Sequence, residues 1–234
     1  MTQGWQDPTA ASDWDANGDN INPTRAEQLD MLVTLLAEFT NSGDWILDLG
    51  YGSGKVEEII FERIPDAQVA GIDNSPAMAR LAANRLQGYT HRFFPVQGDL
   101  AQLSSIQLPV SEVGAVIAIQ SLHHLSAPDM QSAYRHIHTL LRPGGVFLLL
   151  DRIKVENEVV FPLLRSVWNR LDRHYGSETA PQEGKNFDEH TAILKQDGDF
   201  PVTLETHLEW LRACTFHAVT LHVHGNRALI AAVK

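Results

Sequence analysis

Cysteine is nearly absent from this 234-residue sequence, in which Cys214 is the single example. One cysteine excludes an internal disulfide, a cysteine-based zinc site and a cysteine-held iron–sulfur cluster, and it favours a reducing compartment. The sequence also has no apolar run approaching the roughly 20 residues that span a bilayer. Its N-terminus lacks a basic segment followed by an apolar stretch. We therefore expect a cytoplasmic protein without a membrane partner.

Basic residues are also scarce, because 18 lysines and arginines stand against 29 aspartates and glutamates, and the formal net charge is -11. Such an excess of negative charge repels nucleic-acid phosphates over most of the surface, so a nucleic-acid partner is disfavoured. With 44% hydrophobic residues, the chain has the composition of one folded domain. We expect a monomer or a homodimer.

From Trp45 onward, short apolar runs bounded by turn residues alternate with helical patterns. This alternation indicates an α/β fold with a mostly parallel sheet that helices cover on both faces. Two later apolar runs are separated only by a glycine-containing turn, which predicts an antiparallel C-terminal hairpin. The predicted strands are 45–49, 68–72, 92–97, 115–119, 145–150, 216–223 and 227–233, and the predicted helices are 25–39, 54–64, 76–87, 127–141 and 204–213.

Two segments fall outside this alternation. Residues 1–23 are polar and predict a tail or lid, in which Trp5 and Trp14 either close over a ligand or anchor the segment. Residues 152–202 combine an amphipathic helical pattern with a long polar stretch, which predicts an insertion on the substrate side. We expect the chain from 24 to 234 to form a single domain that includes this insertion.

The first predicted strand runs into three alternating glycines, Gly50, Gly52 and Gly54, just before a helix. Glycines at such a place let the backbone turn sharply and let a ligand lie against it, while the helix N-terminus offers free N–H groups to an anionic group. The second strand ends at Asp73, about 20 residues beyond the glycines, where an acidic side chain reaches the hydroxyls of a ribose. The two features together predict a nucleoside site.

The third predicted strand also ends in an acidic residue. Asp99 stands where its carboxylate can accept a hydrogen bond from an adenine amine, and Leu100 can cover the base. Because parallel strands end at the same edge of a sheet, three successive strand ends point at one adenosyl group.

Further motifs complete the pattern: D-L-G-Y-G-S-G at 48–54, Q-S-L-H-H-L at 120–125 and L-R-P-G-G at 141–145. With them, residues 25–150 resemble the Rossmann-like (class I) S-adenosylmethionine-dependent methyltransferases, in the branch that acts on small molecules. The resemblance implies a Rossmann-like three-layer sandwich, a seven-stranded sheet and S-adenosylmethionine as cofactor. The residues for which it implies cofactor binding are Asp48, Gly50, Gly52, Gly54, Asp73, Asn74, Asp99, Leu100 and Gln120.

The sequence departs from this family at two places. Tyr51 replaces the small residue that usually separates the first two glycines, and Val113-Gly114 stand where an acidic residue commonly opens the fourth strand. Tyr51 is the one internal hint of a reshaped donor pocket or of a different sulfonium.

Methyl transfer from a sulfonium is an in-line displacement, and a general base is needed only if the acceptor arrives protonated. His124 is the first candidate for that base and His123 the second, although such a pair often serves only to close the strand. Asp151, His174 and Tyr175 are further candidates. The alternating pair His222 and His224 lacks an evident third ligand, and we expect no metal site.

The main hypothesis is therefore methyl transfer from S-adenosylmethionine to a small-molecule acceptor. The alternatives are a protein that binds an adenosyl ligand without catalysis and an enzyme that uses a modified sulfonium. A nicotinamide dehydrogenase is disfavoured because those enzymes typically show G-x-G-x-x-G and lack the Gly-Asp on the third strand.

Overall fold

The computed structural model describes residues 3–234 and contains a seven-stranded sheet. The strands are β1 (Trp45–Leu49), β2 (Gln68–Asp73), β3 (Phe93–Gln97), β4 (Val113–Ile119), β5 (Leu141–Arg152), β6 (His217–His224) and β7 (Arg227–Val233). Their order across the sheet is β3-β2-β1-β4-β5-β7-β6. All neighbouring pairs are parallel except those that β7 makes with β5 and β6. The predicted mixed sheet with a C-terminal antiparallel hairpin is confirmed.

Ten α-helices surround this sheet over the described residues. They are α1 (Gln3–Gln6), α2 (Pro8–Ile21), α3 (Arg25–Phe39), α4 (Lys55–Arg63), α5 (Pro76–Arg85), α6 (Ala127–Leu140), α7 (Phe161–Tyr175), α8 (Thr179–Gln182), α9 (Phe187–Asp197) and α10 (Leu204–Ala213). Within the span 3–234, none of them is both long and apolar enough to cross a membrane.

Three helices begin after a serine or threonine whose side chain caps the first turn. The side chains of Ser75, Ser126 and Thr203 each accept a hydrogen bond from a backbone N–H in the first turn of the helix that follows. The spacing of Thr24 and Glu27 fits a capping box, but Thr24 does not cap α3 with its side chain, because its hydroxyl donates instead to Asn22 Oδ1 at 2.9 Å. The fifth strand was also predicted too short, since its pairing begins at Leu141.

Alternating side chains of the central strands divide the core into two layers. Leu47 and Leu49 of β1 face the layer that contains α6 and α10, whereas Ile46 faces the layer of α3 and α4. Every residue of β4 is buried, as expected for a strand that helices cover on both sides. The molecule is therefore a helix–sheet–helix sandwich, and its loops at the carboxyl ends of the parallel strands lie at one edge.

The N-terminal segment contains a 14-residue helix, α2, where the polar composition predicted a tail. Two local signals explain this start: Pro8 occupies the first helical position, and the Asp7 carboxylate accepts hydrogen bonds from the N–H groups of Thr9 and Ala10, each at 2.9 Å. The helix lacks a core of its own and packs instead on α5. Residues 1 and 2 of the predicted 1–23 segment lie outside the described residues.

The predicted insertion, 152–202, folds as α7, α8 and α9 around the buried Trp168. A cluster of buried charges attaches it to the sheet. Glu183 accepts from Arg152 at 2.7 Å and from Asn226 Nδ2 at 3.0 Å, and its carboxylate lies 3.5 Å from Arg227. Burial raises the pKa of Glu183, but Arg152 and Arg227 outweigh that effect and lower it. The insertion is therefore joined to β5 and β7 by ionised groups.

We predict that Glu183→Gln lowers the free energy of unfolding by about 3–5 kcal/mol, because removing one partner of a buried ion cluster leaves the other charges uncompensated. Urea denaturation at neutral pH measures the change. Glu178→Gln, at an exposed position in the same insertion, is the matched control. A loss below about 1 kcal/mol for Glu183→Gln would show that the cluster does not hold the insertion in place.

Candidate functional site

The loop after β1 turns sharply because its glycines adopt backbone angles that other residues rarely take. Gly50 has a φ of 94° and Gly54 a φ of 80°. A Cβ on Gly50 would lie 2.6 Å from Cβ of Ser121, which belongs to the loop after β4. The loop therefore approaches its neighbour more closely than any side chain would allow, and Gly54 leads directly into α4.

Asp73, at the end of β2, holds this loop in place. Its Oδ2 accepts a hydrogen bond from Gly52 N at 2.9 Å, and its Oδ1 accepts one from Ser75 N at 2.8 Å. Burial raises the pKa of Asp73, and these backbone donors offset only part of that rise. Asp99, after β3, accepts from Ala101 N at 3.0 Å. Each carboxylate has lone pairs left for a ligand.

A cavity of about 470 Å³ lies at the carboxyl ends of the parallel strands. This is the position at which open α/β sheets bind ligands, and the size suits a small organic molecule. Eight of the residues predicted from the sequence line it: Gly50, Gly52, Asp73, Asn74, Asp99, Leu100, Gln120 and His124. Three predicted residues, Asp48, Gly54 and His123, are not among the lining residues.

Among the residues that line the cavity, Gln120 is the one other than glycine whose backbone has a positive φ. Its φ is 53°, in a region that glycine favours, and its backbone N–H donates to Leu150 O at 2.9 Å. Strain of this kind persists where the surroundings impose it, often beside a ligand. The residue immediately after β4 is thereby aimed into the cavity.

Asp48 lies beneath the glycine loop, where it shares its buried surroundings with Glu57 of α4. Burial raises the pKa of Asp48 to about 6, and the nearby Asp73 charge adds to the rise. Burial and the Asp48 carboxylate also raise the pKa of Glu57 well above its usual value. Burial therefore favours the neutral form of Glu57 beside Asp48, an arrangement that sequence reasoning missed.

Tyr51 does not line the cavity. Its ring turns into the core, where it contacts the backbone position of Gly71 and meets Phe93 edge-on at 5.3 Å between ring centroids. The side chain is 5% exposed. The expectation that Tyr51 reshapes the donor pocket is not supported by this position, because the ring fills the space left by Gly71 instead.

The two neighbouring histidines face different partners. His123 is buried, and its Nδ1 contacts Asp151, whose Oδ2 also accepts from His123 N at 3.0 Å. His124 lines the cavity, and its Nδ1 lies 3.0 Å from Oδ1 of Asp199 in the insertion. Burial raises the pKa of Asp199, but contacts with His124, His123 and Arg152 outweigh that effect and lower it to about 2. No local sequence signal marks Asp199, which is 75 residues from His124.

The remaining base candidates do not reach the cavity. Asp151 is occupied by His123, and His174 and Tyr175 lie exposed at the end of α7, where their rings contact each other. The alternating histidines considered as metal ligands, His222 and His224, lie on the edge strand β6, where their rings stack at 6.2 Å between centroids.

The N-terminal segment forms one wall of the cavity. Trp5 and Trp14 both line it, and their rings meet edge-on at 5.3 Å between centroids. The same two rings pack against Met78 and its neighbours on α5. Ser75 Oγ donates to the backbone oxygen of Trp5, and Arg85 reaches Asp15 at 2.9 Å. The tryptophans therefore anchor the segment and enclose the cavity together.

Comparison with known proteins supports a common architecture. A family model described as a methyltransferase domain matches residues 46–145. A carboxy-S-adenosyl-L-methionine synthase from Pseudoalteromonas translucida is 28% identical over 197 residues, which are 83% of this chain and 78% of that protein.

Among solved structures, an O-methyltransferase family protein from Burkholderia thailandensis matches 99% of this chain and 61% of its own, with a TM-score of 0.70 and 15% identity. Phosphoethanolamine N-methyltransferase 2 from Haemonchus contortus, solved with S-adenosyl-L-methionine, matches 88% of this chain and 52% of its own, with a TM-score of 0.64 and 14% identity. The chain thus spans only about half to three fifths of these structures, and the likeness concerns the fold.

The Asp48–Glu57 pair predicts a pH-dependent stability. Because the folded-state pKa of Glu57 exceeds its ordinary value of 4.5, the folded chain binds more protons than the unfolded chain above that pH, and its stability falls as pH rises. Glu57→Gln keeps a neutral donor that cannot ionise. We predict that its stability relative to the wild type increases from about pH 5 to about pH 8, by at most about 1.4 kcal/mol per pH unit.

Urea denaturation across this pH range measures the difference. Glu62→Gln, an exposed position on the same helix, is the control and should show no such trend. A constant difference between Glu57→Gln and the wild type would mean that Glu57 is ionised in the folded protein.

Proposed function

We propose that this chain, whose residues 46–145 match the model of a methyltransferase domain, transfers the methyl group of S-adenosylmethionine to a small-molecule acceptor bound in the cavity. The observation that carries this proposal is the convergence of the glycine loop, Asp73 and Asp99 on one cavity of suitable size. Three strand ends supply, in one place, the groups that an adenosyl sulfonium requires.

In this proposal the cofactor lies along the strand ends. Asp73 accepts hydrogen bonds from the ribose hydroxyls with the lone pairs that Gly52 and Ser75 leave free, and Asn74 stands beside it. Asp99 accepts from the adenine amine while Leu100 covers the base. The methionyl part lies against Gly50 and Gly52, close to Gln120. Asp48 and Gly54 act from below, by shaping the loop.

The acceptor then occupies the end of the cavity between the N-terminal segment, the loop after β4 and the insertion. Trp5 and Trp14 supply flat apolar surfaces there. His124 and Gly198 line the same cavity, and the rings of Trp5 and His124 lie 6.5 Å apart between centroids. Methyl transfer from a sulfonium needs alignment and exclusion of water more than it needs acid–base chemistry. Enclosure by α1 and α2 provides both. His124 is the catalytic candidate that this geometry favours, since His123 is turned toward Asp151.

The charge of the cavity wall limits the charge that the acceptor can carry. The described residues that line it include Asp73, Asp99 and Asp129 but no lysine or arginine. Carboxylates favour the positive sulfonium, and an anionic acceptor would find no cationic side chain to replace its hydration. We therefore propose an acceptor that is neutral when it binds.

The name of the relative from Pseudoalteromonas translucida favours a second candidate, an enzyme that makes or uses a carboxylated sulfonium. A carboxylate next to the sulfonium would require a cationic partner for the same reason that an anionic acceptor would. The described residues of the cavity wall include no lysine or arginine, which argues against a carboxylated sulfonium as the ligand. Native mass spectrometry of the purified protein decides between the candidates, because the carboxylated ligand is heavier than S-adenosylmethionine and S-adenosylhomocysteine.

We predict that Asp73→Ala weakens binding of S-adenosylhomocysteine by roughly 2–3 kcal/mol, or about 30- to 150-fold in Kd, because two hydrogen bonds to a charged acceptor are lost. Isothermal titration calorimetry measures the change. The Kd of Asp73→Asn, which retains one acceptor oxygen, should lie between those of the wild type and Asp73→Ala. Asp66→Ala, at an exposed aspartate before β2, is the control. Unchanged affinity in Asp73→Ala would contradict the ribose assignment.

We also propose that the N-terminal segment acts as a lid. The Asp15 carboxylate joins α2 to the glycine loop and to α5, through Ser53 Oγ and Arg85. Asp15→Ala should therefore speed release of S-adenosylhomocysteine about tenfold, after discounting these charged hydrogen bonds for partial exposure.

Stopped-flow displacement, followed through tryptophan fluorescence, measures that release. Asp13→Ala, on the exposed side of the same helix, should release the ligand at the wild-type rate. Equal rates in Asp15→Ala and the wild type would mean that the ligand leaves without movement of α2.

A further inference from the structure

A cluster of potential metal ligands borders the acceptor end of the cavity. His123, His124 and Asp199 each offer one ligand atom, and these atoms all lie within 4.8 Å of one another. Asp199 Oδ1 is 3.0 Å from His124 Nδ1 and 3.7 Å from His123 Nε2. Two imidazole nitrogens and a carboxylate oxygen around one point are a common donor set for first-row divalent ions.

Two of these atoms lack a hydrogen-bond partner. His124 Nδ1 and Asp199 Oδ1 are both buried, and despite their short separation neither makes an acceptable hydrogen bond with any described residue. The Asp199 side chain is only 6% exposed. Buried polar atoms without partners are costly, and an ion between them would satisfy both.

The other atoms of the same side chains are already held by neighbours. His123 Nδ1 contacts Asp151, which leaves Nε2 as the free ring nitrogen. Arg152 donates to Asp199 Oδ2 at 2.7 Å, which leaves Oδ1 free. Phe200 N also donates to His123 O at 2.6 Å and so fixes the Asp199 loop against the histidines. Metal-binding histidines usually donate their second ring N–H to a carboxylate in this way.

We propose that His123 Nε2, His124 Nδ1 and Asp199 Oδ1 bind a divalent transition-metal ion at the acceptor end of the cavity. Since His124 lines the cavity, the ion keeps an open coordination position on that side. An oxygen or nitrogen atom of the acceptor fits that position, a part of the inference that rests on the proposed function. His124 is then a metal ligand, and the charge of the ion, rather than the imidazole, promotes loss of the proton from the bound acceptor group to solvent water.

The test uses full-length protein without a histidine tag, stripped with a chelator and titrated calorimetrically with Zn²⁺. Co²⁺ serves as a spectroscopic probe, since its visible absorption reports nitrogen and oxygen coordination. We expect one equivalent of metal to bind and both Asp199→Asn and His124→Gln to weaken it by at least about tenfold. Asp151→Asn should weaken it by about 10- to 100-fold without removing a ligand.

Two controls separate this site from other histidines. His91→Gln alters an exposed histidine, and His222→Gln alters the stacked pair on β6; both should bind metal as the wild type does. Because Asp199→Asn also loses its ion pair with Arg152, thermal unfolding is measured for every variant. His124→Gln keeps the test valid if Asp199→Asn fails to fold.

The proposal is overturned if the stripped wild type binds no metal, or if folded His124→Gln binds it as tightly as the wild type. It is equally overturned if His222→Gln abolishes binding. Titration of the same samples with S-adenosylhomocysteine separates the two proposals: cofactor binding without metal binding defeats only the metal site. Absence of cofactor binding defeats the proposed methyl transfer and leaves metal binding to be judged by the variants.

Discussion

The parallel pairing of β1 with both β2 and β4 is the constraint on which the candidate site depends. The chain leaves β1 toward β2 on one side and later returns to β4 on the other, so the loops that follow β1 and β4 diverge at the middle of the sheet. A crevice must open there. The close approach of Gly50 to Ser121 marks its floor, and the strained Gln120 marks its wall.

Acidic side chains then stabilise this edge without closing it. Asp73 holds the glycine loop through backbone donors, while burial below the loop favours the neutral form of Glu57 beside Asp48. Two ionised carboxylates in one buried place would repel each other, so both burial and this repulsion favour a proton on the pair. Asp73 and Asp99 place negative charge on the ligand side of the loop, which suits the positive sulfonium of the proposed cofactor.

The part of the fold that local chemistry controls could be predicted from the sequence. The glycine loop, Asp73 and Asp99 follow strands whose apolar runs are plain, and the caps at Ser75 and Ser126 mark helix starts. Other features depend on contacts between distant residues. The polar composition of α2 gives no sign that its few apolar residues pack on α5. Likewise, no residue next to Glu57 or Asp199 in the sequence indicates the contacts of Glu57 with Asp48 and of Asp199 with His124.

The same distinction separates the two halves of the cavity. The half of the cavity that we propose for the cofactor is built from the ends of β1, β2 and β3, which hydrogen bonds across the sheet hold in register. The half that we propose for the acceptor combines His124 with Asp199, which belongs to the insertion and is held by the Arg152–Glu183 cluster. A change in the insertion can therefore move Asp199 without disturbing Asp73. In the proposed function, acceptor choice and cofactor binding therefore depend on separate parts of the chain, and the buried ion cluster connects those parts.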